Sequence, residues 1–167
     1  MRGKRLTMLG LSALLTLSTL AFAAPAVSAD TGRNTHPNPI VAAVIAQEDM
    51  AAVSNYNKKA IVAVELLRDL RHWQRDHGTP RFIVATSCRA DYLVWFDRTQ
   101  GWSRAAFRYY SGKASQWESL PKDLRAQRRI TQWLIYDRAT DRQADAQDDL
   151  VDCIVDGIPR RLGRLLA

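Results

Sequence analysis

One stretch of the sequence carries carboxylates and a histidine at the spacing of a helix face. Acidic and histidine side chains follow one another at intervals of four, three and four residues: Glu65, Asp69, His72 and Asp76. Such a face could ligate a divalent cation through oxygen atoms, or tune the proton affinity of the histidine. Arginines that can pair with the acids alternate with them: Arg68, Arg71 and Arg75. We interpret this charged stripe as a solvated face, and we expect neither a metal ion nor another cofactor.

A second pattern mixes aromatic and arginine side chains between residues 92 and 110. If residues 92–98 and 102–110 are strands joined by a tight turn ending on Gly101, alternation places one set of side chains on a single sheet face. Arginine and aromatic residues together are typical of protein-binding hot spots and of stacking platforms. The predicted binding residues on this face are Tyr92, Phe96, Arg98, Trp102, Arg104, Arg108 and Tyr110. The opposite face, with Leu93, Trp95 and Phe107, is predicted to be core.

An acidic segment near the end of the chain is a possible neighbour of that face. Residues 137–156 contain seven aspartates and two arginines. Aspartate is unfavourable inside a helix, so the segment needs compensating partners. Three interpretations stay open: pairing with arginines of the same chain, docking of a basic partner, and binding of calcium. The intramolecular partners would be Arg125, Arg128, Arg129, Arg160 and Arg161. The acidic segment could also cover the predicted aromatic face, with arginine stems packed on the rings.

The two classes of function that fit these patterns differ in whether the protein is an enzyme. The sequence has no nucleophile elbow, no zinc-protease helix motif, no phosphate-binding loop and no C-x-x-C pair. We therefore expect a non-catalytic exported binding protein (an inhibitor, an immunity-type protein or an assembly factor) whose partner is another protein. The alternative is a small secreted hydrolase of an anionic polymer, such as a nucleic acid or a cell-wall glycan. It would use Arg104 and Arg108 for charge and Glu118 or a histidine as base.

The first 29 residues have the organisation of a cleavable signal peptide. Three cations precede an apolar run over residues 9–24, and small residues follow it up to Ala29. That run is shorter than the roughly 20 residues of a membrane span, so we expect no stable span and a secreted or periplasmic protein. Removal of residues 1–29 would lower the formal net charge from +7 to +4. In an oxidising compartment the two cysteines, Cys88 and Cys153, are expected to form a disulfide.

Helix signals flank the predicted strands on both sides. After a mobile tail at 30–38, Asn38 and Pro39 begin a first helix, and apolar periodicity predicts a second over Lys58–His77, ended by Gly78. Residues 82–87 add a further strand. Residues 122–129 and 140–156 read as helices, the latter stopped by Gly157, whereas 130–136 fits either a helix or a fourth strand. The sequence thus predicts one α+β domain over 39–167, with N-terminal helices, a three- to four-stranded antiparallel sheet and C-terminal helices.

Overall fold

The computed structural model describes residues 38–117 and 119–166, and every regular element in these two ranges is helical. The α-helices are α1 (Pro39–Ala52), α2 (Tyr56–His77), α3 (Arg81–Thr86), α4 (Arg89–Ser111) and α5 (Lys122–Leu166), with a π-helical turn at Gly112–Gln116. The predicted α+β fold with an antiparallel sheet is therefore wrong. The predicted signal peptide, at residues 1–29, lies outside the described residues.

The first two helices begin and end where local chemistry predicts. The Asn38 side chain accepts a hydrogen bond from the Ile40 backbone N–H at 2.9 Å, and Pro39 occupies the first turn. Asn55 caps α2 in the same way by accepting from the Lys58 N–H at 3.2 Å. Gly78 follows the last residue of α2 with φ of 66°, a left-handed conformation that glycine adopts without steric cost. Each of these helix ends is thus set by interactions between residues that are two to four positions apart in the sequence.

The segment expected to form two strands is instead the single helix α4. Its buried residues return every three or four positions, in places as adjacent pairs: Tyr92, Trp95, Phe96, Thr99, Trp102, Ser103, Ala105, Ala106 and Tyr109. This period matches an α-helix and does not match the alternation of a strand. The supposed hairpin glycine, Gly101, lies within the helix. The β-branched and aromatic composition suggested strands, but burial on both flanks of α4 overrides that weak propensity.

α4 lies at the centre of the described bundle. It packs against α2 on one side and against α5 on the other, and α1 covers α2. Trp95 and Tyr92 of α4 are fully buried, together with Leu66 and Leu70 of α2 and Leu150 of α5. These large apolar side chains form one continuous core, which explains why α4 is retained as a helix despite its composition.

The three C-terminal segments of the prediction belong to one helix of 45 residues, α5. Its inward residues follow one another at alternating intervals of four and three: Gln132, Tyr136, Ala139, Gln143, Ala146, Leu150, Cys153 and Gly157. That regular seam was present in the sequence and keeps one face of a long helix against its neighbours. Gly157 does not stop the helix, which runs on through Pro159. Residues 130–136 are helical.

A disulfide joins Cys88 to Cys153, as predicted, with the two Cα atoms 5.8 Å apart. Cys88 immediately precedes α4 and is fully buried, whereas Cys153 lies on the inward face of α5. The bridge thus connects the start of the central helix to the long C-terminal helix across 65 residues of sequence. Within residues 38–117 and 119–166, no helix has the length and apolar character needed to cross a membrane.

Candidate functional site

The seven residues predicted to form a binding face lie on different sides of α4. Three arginines are exposed (Arg98, Arg104 and Arg108), whereas Tyr92, Phe96 and Trp102 are buried and Tyr110 is half-buried. The three buried rings are part of the core, so the mixed aromatic and arginine surface does not form. A binding role for the exposed arginines stays a prediction. The base nominated for the hydrolase alternative, Glu118, lies outside the described residues.

The predicted core side of the same segment is partly inverted. Trp95 is fully buried as expected, but Leu93 and Phe107 are 44% and 40% exposed. The reason is the helical period, which turns each successive side chain by 100° instead of 180°. Residues at alternate positions in the sequence therefore fall on different sides of the helix. The division into a core face and a binding face, which holds for a strand, does not hold for α4.

The charged stripe of α2 forms exposed ion pairs between sequence neighbours. The Arg75 guanidinium lies 2.8 Å from Asp76 and donates a hydrogen bond to it, and this bond lowers the pKa of the Asp76 carboxyl. Arg68 lies 3.7 Å from Asp69. His72 is exposed. In the described part of the chain the one group of three converging metal-ligand atoms comprises Cys88, Asp91 and Cys153. Both of its cysteines are disulfide-bonded, so neither offers a thiolate to a metal.

The aspartates of residues 137–156 make no ion pair with any side chain that the structure describes. Arg125, one predicted partner, donates instead to the backbone carbonyl of Leu120 at 3.0 Å. Arg128 and Arg129 are exposed on the first turns of α5. The side chains of Arg160 and Arg161 lie outside the described part. Pairing within 38–117 and 119–159 is thus not what compensates the acidic segment.

A group of four tyrosines, which we call the tyrosine cluster, lies where α2 begins, α4 ends and α5 passes. Its members are Tyr56, Tyr109, Tyr110 and Tyr136. The rings of Tyr109 and Tyr136 stack with centroids 5.3 Å apart, and Tyr56 stacks on Tyr110 at 6.2 Å. The Tyr110 hydroxyl donates to that of Tyr136 at 3.4 Å, and burial is the main cause that raises the pKa of Tyr110. The Tyr110 phenol therefore stays neutral at physiological pH.

Two lysine ammonium groups lie against the tyrosine cluster. The Lys113 Nζ atom is 4.5 Å from the ring centroid of Tyr109 and 4.7 Å from that of Tyr56. The Lys59 Nζ atom is 5.4 Å from the ring centroid of Tyr110. All three distances are within the range of cation–π attraction. The cluster thus already places a cation between two aromatic faces.

The π-helical turn fixes the position of Lys113 relative to the rings. A Cβ atom on Gly112 would come within 2.5 Å of the Trp117 ring, so only glycine allows Trp117 to pack there. The ring of Trp117 in turn packs near that of Tyr109, with the two ring centroids 6.4 Å apart. Turns of this type are often found at functional sites. Sequence reasoning missed this site because the Tyr109–Tyr110 pair was its only local signal, and Tyr56 and Tyr136 join it through the fold.

A second unexpected surface occurs on the first turns of α5. Large apolar side chains there are 40–60% exposed: Leu124, Ile130, Trp133, Leu134 and Ile135. Ile130, Trp133 and Leu134 stand at i, i+3 and i+4, so they share one side of the helix, which we call the apolar face of α5. Tyr136, which is half-buried, contacts Tyr109 and Tyr110 of α4, whereas the side chains of Ile130, Trp133 and Leu134 are exposed. The apolar face of α5 is therefore not covered by the described bundle.

Comparison with known proteins finds no match: no family model, no curated protein and no solved structure is similar to this chain.

Proposed function

We propose that the protein is an exported, non-catalytic binding protein that engages a protein partner through the apolar face of α5. The observation that carries the proposal is the exposure of Trp133, at 46%, beside Ile130 at 60%. Tryptophan is the residue type most enriched at binding hot spots, and Trp133 is exposed whereas Trp95, Trp102 and Trp117 are buried. Three adjacent apolar anchors on one helix side suit a helix-in-groove mode of recognition.

The charge next to this face defines the chemistry of the partner. Residues 122–129 contain four basic residues and one acidic residue, and Arg128 and Arg129 are exposed. A groove that accepts Ile130, Trp133 and Leu134 would have Arg129 at its edge, because Arg129 lies one helical turn before Trp133. We therefore propose a partner with an apolar groove bordered by carboxylates, because opposite charges steer association and fix the orientation of the helix.

Export is supported by two features of different kind. The N-terminal sequence has the organisation of a signal peptide, and the Cys88–Cys153 disulfide is of the kind that persists in oxidising compartments. Together they support a secreted or periplasmic location. The partner would then be another protein of the same compartment.

A site-specific photocrosslinker tests the proposal. Placed at Leu134, it should capture a protein from the exported fraction of the source cells, whereas the same crosslinker at Ile61, an equally exposed position on α2, should not. With the captured protein purified, Trp133→Ala should weaken binding by about 2 kcal/mol, or roughly thirtyfold in Kd. Ile61→Ala is the matched control and should bind as the wild type does.

Charge reversal at Arg129 supplies an independent measurement. Replacing it with glutamate should slow association and reduce its dependence on salt, because rim charges act mainly on the rate of encounter. Arg128→Glu changes the same charge on the other side of the helix, so it is the matched control and should have the smaller effect. Equal capture from Leu134 and Ile61 would contradict the proposal. So would crosslinks from Leu134 that reach only a second copy of this chain, together with a dimer in light scattering.

A further inference from the structure

We propose that the tyrosine cluster binds a quaternary ammonium group, with Lys113 as the resident cation that such a ligand displaces. This site is separate from the apolar face of α5 and does not depend on it. It rests on the position of the Lys113 ammonium over the rings of Tyr56 and Tyr109, with the Tyr110 ring packed beside both. Sites lined by aromatic faces recognise trimethylammonium groups in this way.

The geometry already fits a cation. The Lys113 ammonium lies at nearly equal distances, 4.7 Å and 4.5 Å, from the ring centroids of Tyr56 and Tyr109. The Tyr110 ring neighbours both of them, with its centroid 6.2 Å from that of Tyr56 and 5.1 Å from that of Tyr109. The position of the ammonium is therefore favourable for a cation on two sides, because the face of an aromatic ring carries negative charge density.

The chemistry of the position favours a quaternary ammonium over the lysine that occupies it. Lys113 forms no hydrogen bond or ion pair with any side chain that the structure describes, although its ammonium has three donors. A primary ammonium is strongly hydrated and loses part of that hydration against the rings. A quaternary ammonium has no N–H donor to leave unsatisfied and is surrounded by methyl groups. The rings can thus contact it at a smaller cost of desolvation.

Access to the site is also visible in the structure. Tyr56 is 44% exposed, and Lys113 is half-buried on the π-helical turn. Its long side chain has four rotatable bonds, so the ammonium can swing away from the rings without moving a helix. Tyr109 and Trp117 behind it are buried and hold the floor of the site in place.

The test uses tetramethylammonium chloride as the probe, with ammonium chloride at equal ionic strength as the control. Saturation-transfer NMR of the probe's methyl signal should show saturable binding to the wild-type protein. Lys113→Ala removes the competing cation and should tighten binding about three- to tenfold. Tyr56→Leu should weaken it by a similar factor, whereas Tyr56→Phe, which keeps the ring face, should restore it. Circular dichroism checks that each variant is folded.

A second arm separates the two sources of this chemical group. Choline in solution and phosphatidylcholine vesicles present the same trimethylammonium, free or on a membrane surface. Competition of free choline with the probe and cosedimentation with phosphatidylcholine, but not phosphatidylglycerol, vesicles distinguish them. Failure of wild-type protein to bind tetramethylammonium saturably would overturn the proposal, as would binding equal in Tyr56→Leu and Tyr56→Phe. Binding seen in Lys113→Ala alone would also overturn it, since the native site would then be closed by its own lysine.

Discussion

Gly157 of α5 lies directly against the backbone of Thr86 in α3. A Cβ atom built on Gly157 would stand 2.7 Å from the Thr86 carbonyl oxygen, closer than Cβ atoms approach in proteins. One turn earlier on α5, Cys153 is bonded to Cys88, two residues after Thr86. The close approach and the disulfide therefore stabilise the same contact between α3 and α5. Glycine is needed at position 157, although it lies inside a helix, because a side chain there would collide with Thr86.

Gly157→Ala should destabilise the protein by about 1–3 kcal/mol, because the rigid Thr86 backbone cannot move away as a side chain could. Gly101 supplies a matched control, since it is also helical and no atom lies within 4 Å of a Cβ built there. Gly101→Ala should stabilise the protein by about 0.5–1 kcal/mol through helix propensity. Urea denaturation of both variants measures the difference, and equal effects would show that α3 does not press on α5.

Reduction of the Cys88–Cys153 disulfide should lower the free energy of unfolding by about 4 kcal/mol, because it releases a long loop in the unfolded chain. Urea denaturation with and without reductant measures this loss. The native, unreduced protein should react with no thiol reagent at either cysteine. A Cys88→Ala, Cys153→Ala double variant should be insensitive to reductant. Labelling of either cysteine in the freshly isolated protein would contradict the bridge.

Trp102→Ala should cost about 3–5 kcal/mol of stability or prevent folding, since its side chain is only 3% exposed in the core. Phe107→Ala, at a side chain that is 40% exposed, should change stability by about 1 kcal/mol or less. The pair distinguishes the helix α4 from a hairpin, for which the opposite order is expected. Thermal melting of the two variants is sufficient, and a severe loss in Phe107→Ala with a tolerated Trp102→Ala would refute this helix.

Tyr92→Phe should be neutral or stabilising. The Tyr92 hydroxyl is buried and has no hydrogen-bond partner among the described residues, so its removal relieves a desolvation cost of about 1–3 kcal/mol and opens only a small gap. Tyr56→Phe is the control, because it removes a hydroxyl from a side chain that is 44% exposed to water. Unfolding at neutral pH compares the two variants.

Tyr92 should also make the free energy of unfolding depend on pH in the alkaline range. Burial raises the pKa of Tyr92 above its ordinary value of about 10. The folded protein therefore keeps this phenol protonated at pH values where the unfolded chain ionises it. Its contribution to stability is complete below about pH 10 and is lost as the pH rises further. Tyr92→Phe should reduce that alkaline loss, and an unchanged pH profile of the free energy of unfolding would contradict the burial of this hydroxyl.

The part of the fold that the sequence predicted correctly depends on near neighbours. Asn38 caps α1 through a backbone N–H group two residues away, and Gly78 ends α2 through its own left-handed conformation. The start predicted for α2, at Lys58, is two residues late, because Asn55 caps a helix that begins at Tyr56. Local chemistry also predicts a helix end at Gly157, whereas α5 runs on through Pro159. In the candidate surfaces, the exposure of Trp133 could not be read from its type, because tryptophan is usually buried.

By itself, the sequence determined the N-cap of α1, the end of α2 at Gly78, the apolar face of α2 and the pairing of the only two cysteines, because each follows from local chemistry or from parity. Only the tertiary structure decided that residues 89–111 are a helix, since their β-branched and aromatic content is compatible with either state until α2 and α5 bury it. The tyrosine cluster is of the same kind: Tyr56, Tyr110 and Tyr136 are far apart in the chain and meet because three helices pack together. Contacts of such long sequence separation have no periodic or local signature, and so packing alone determined them.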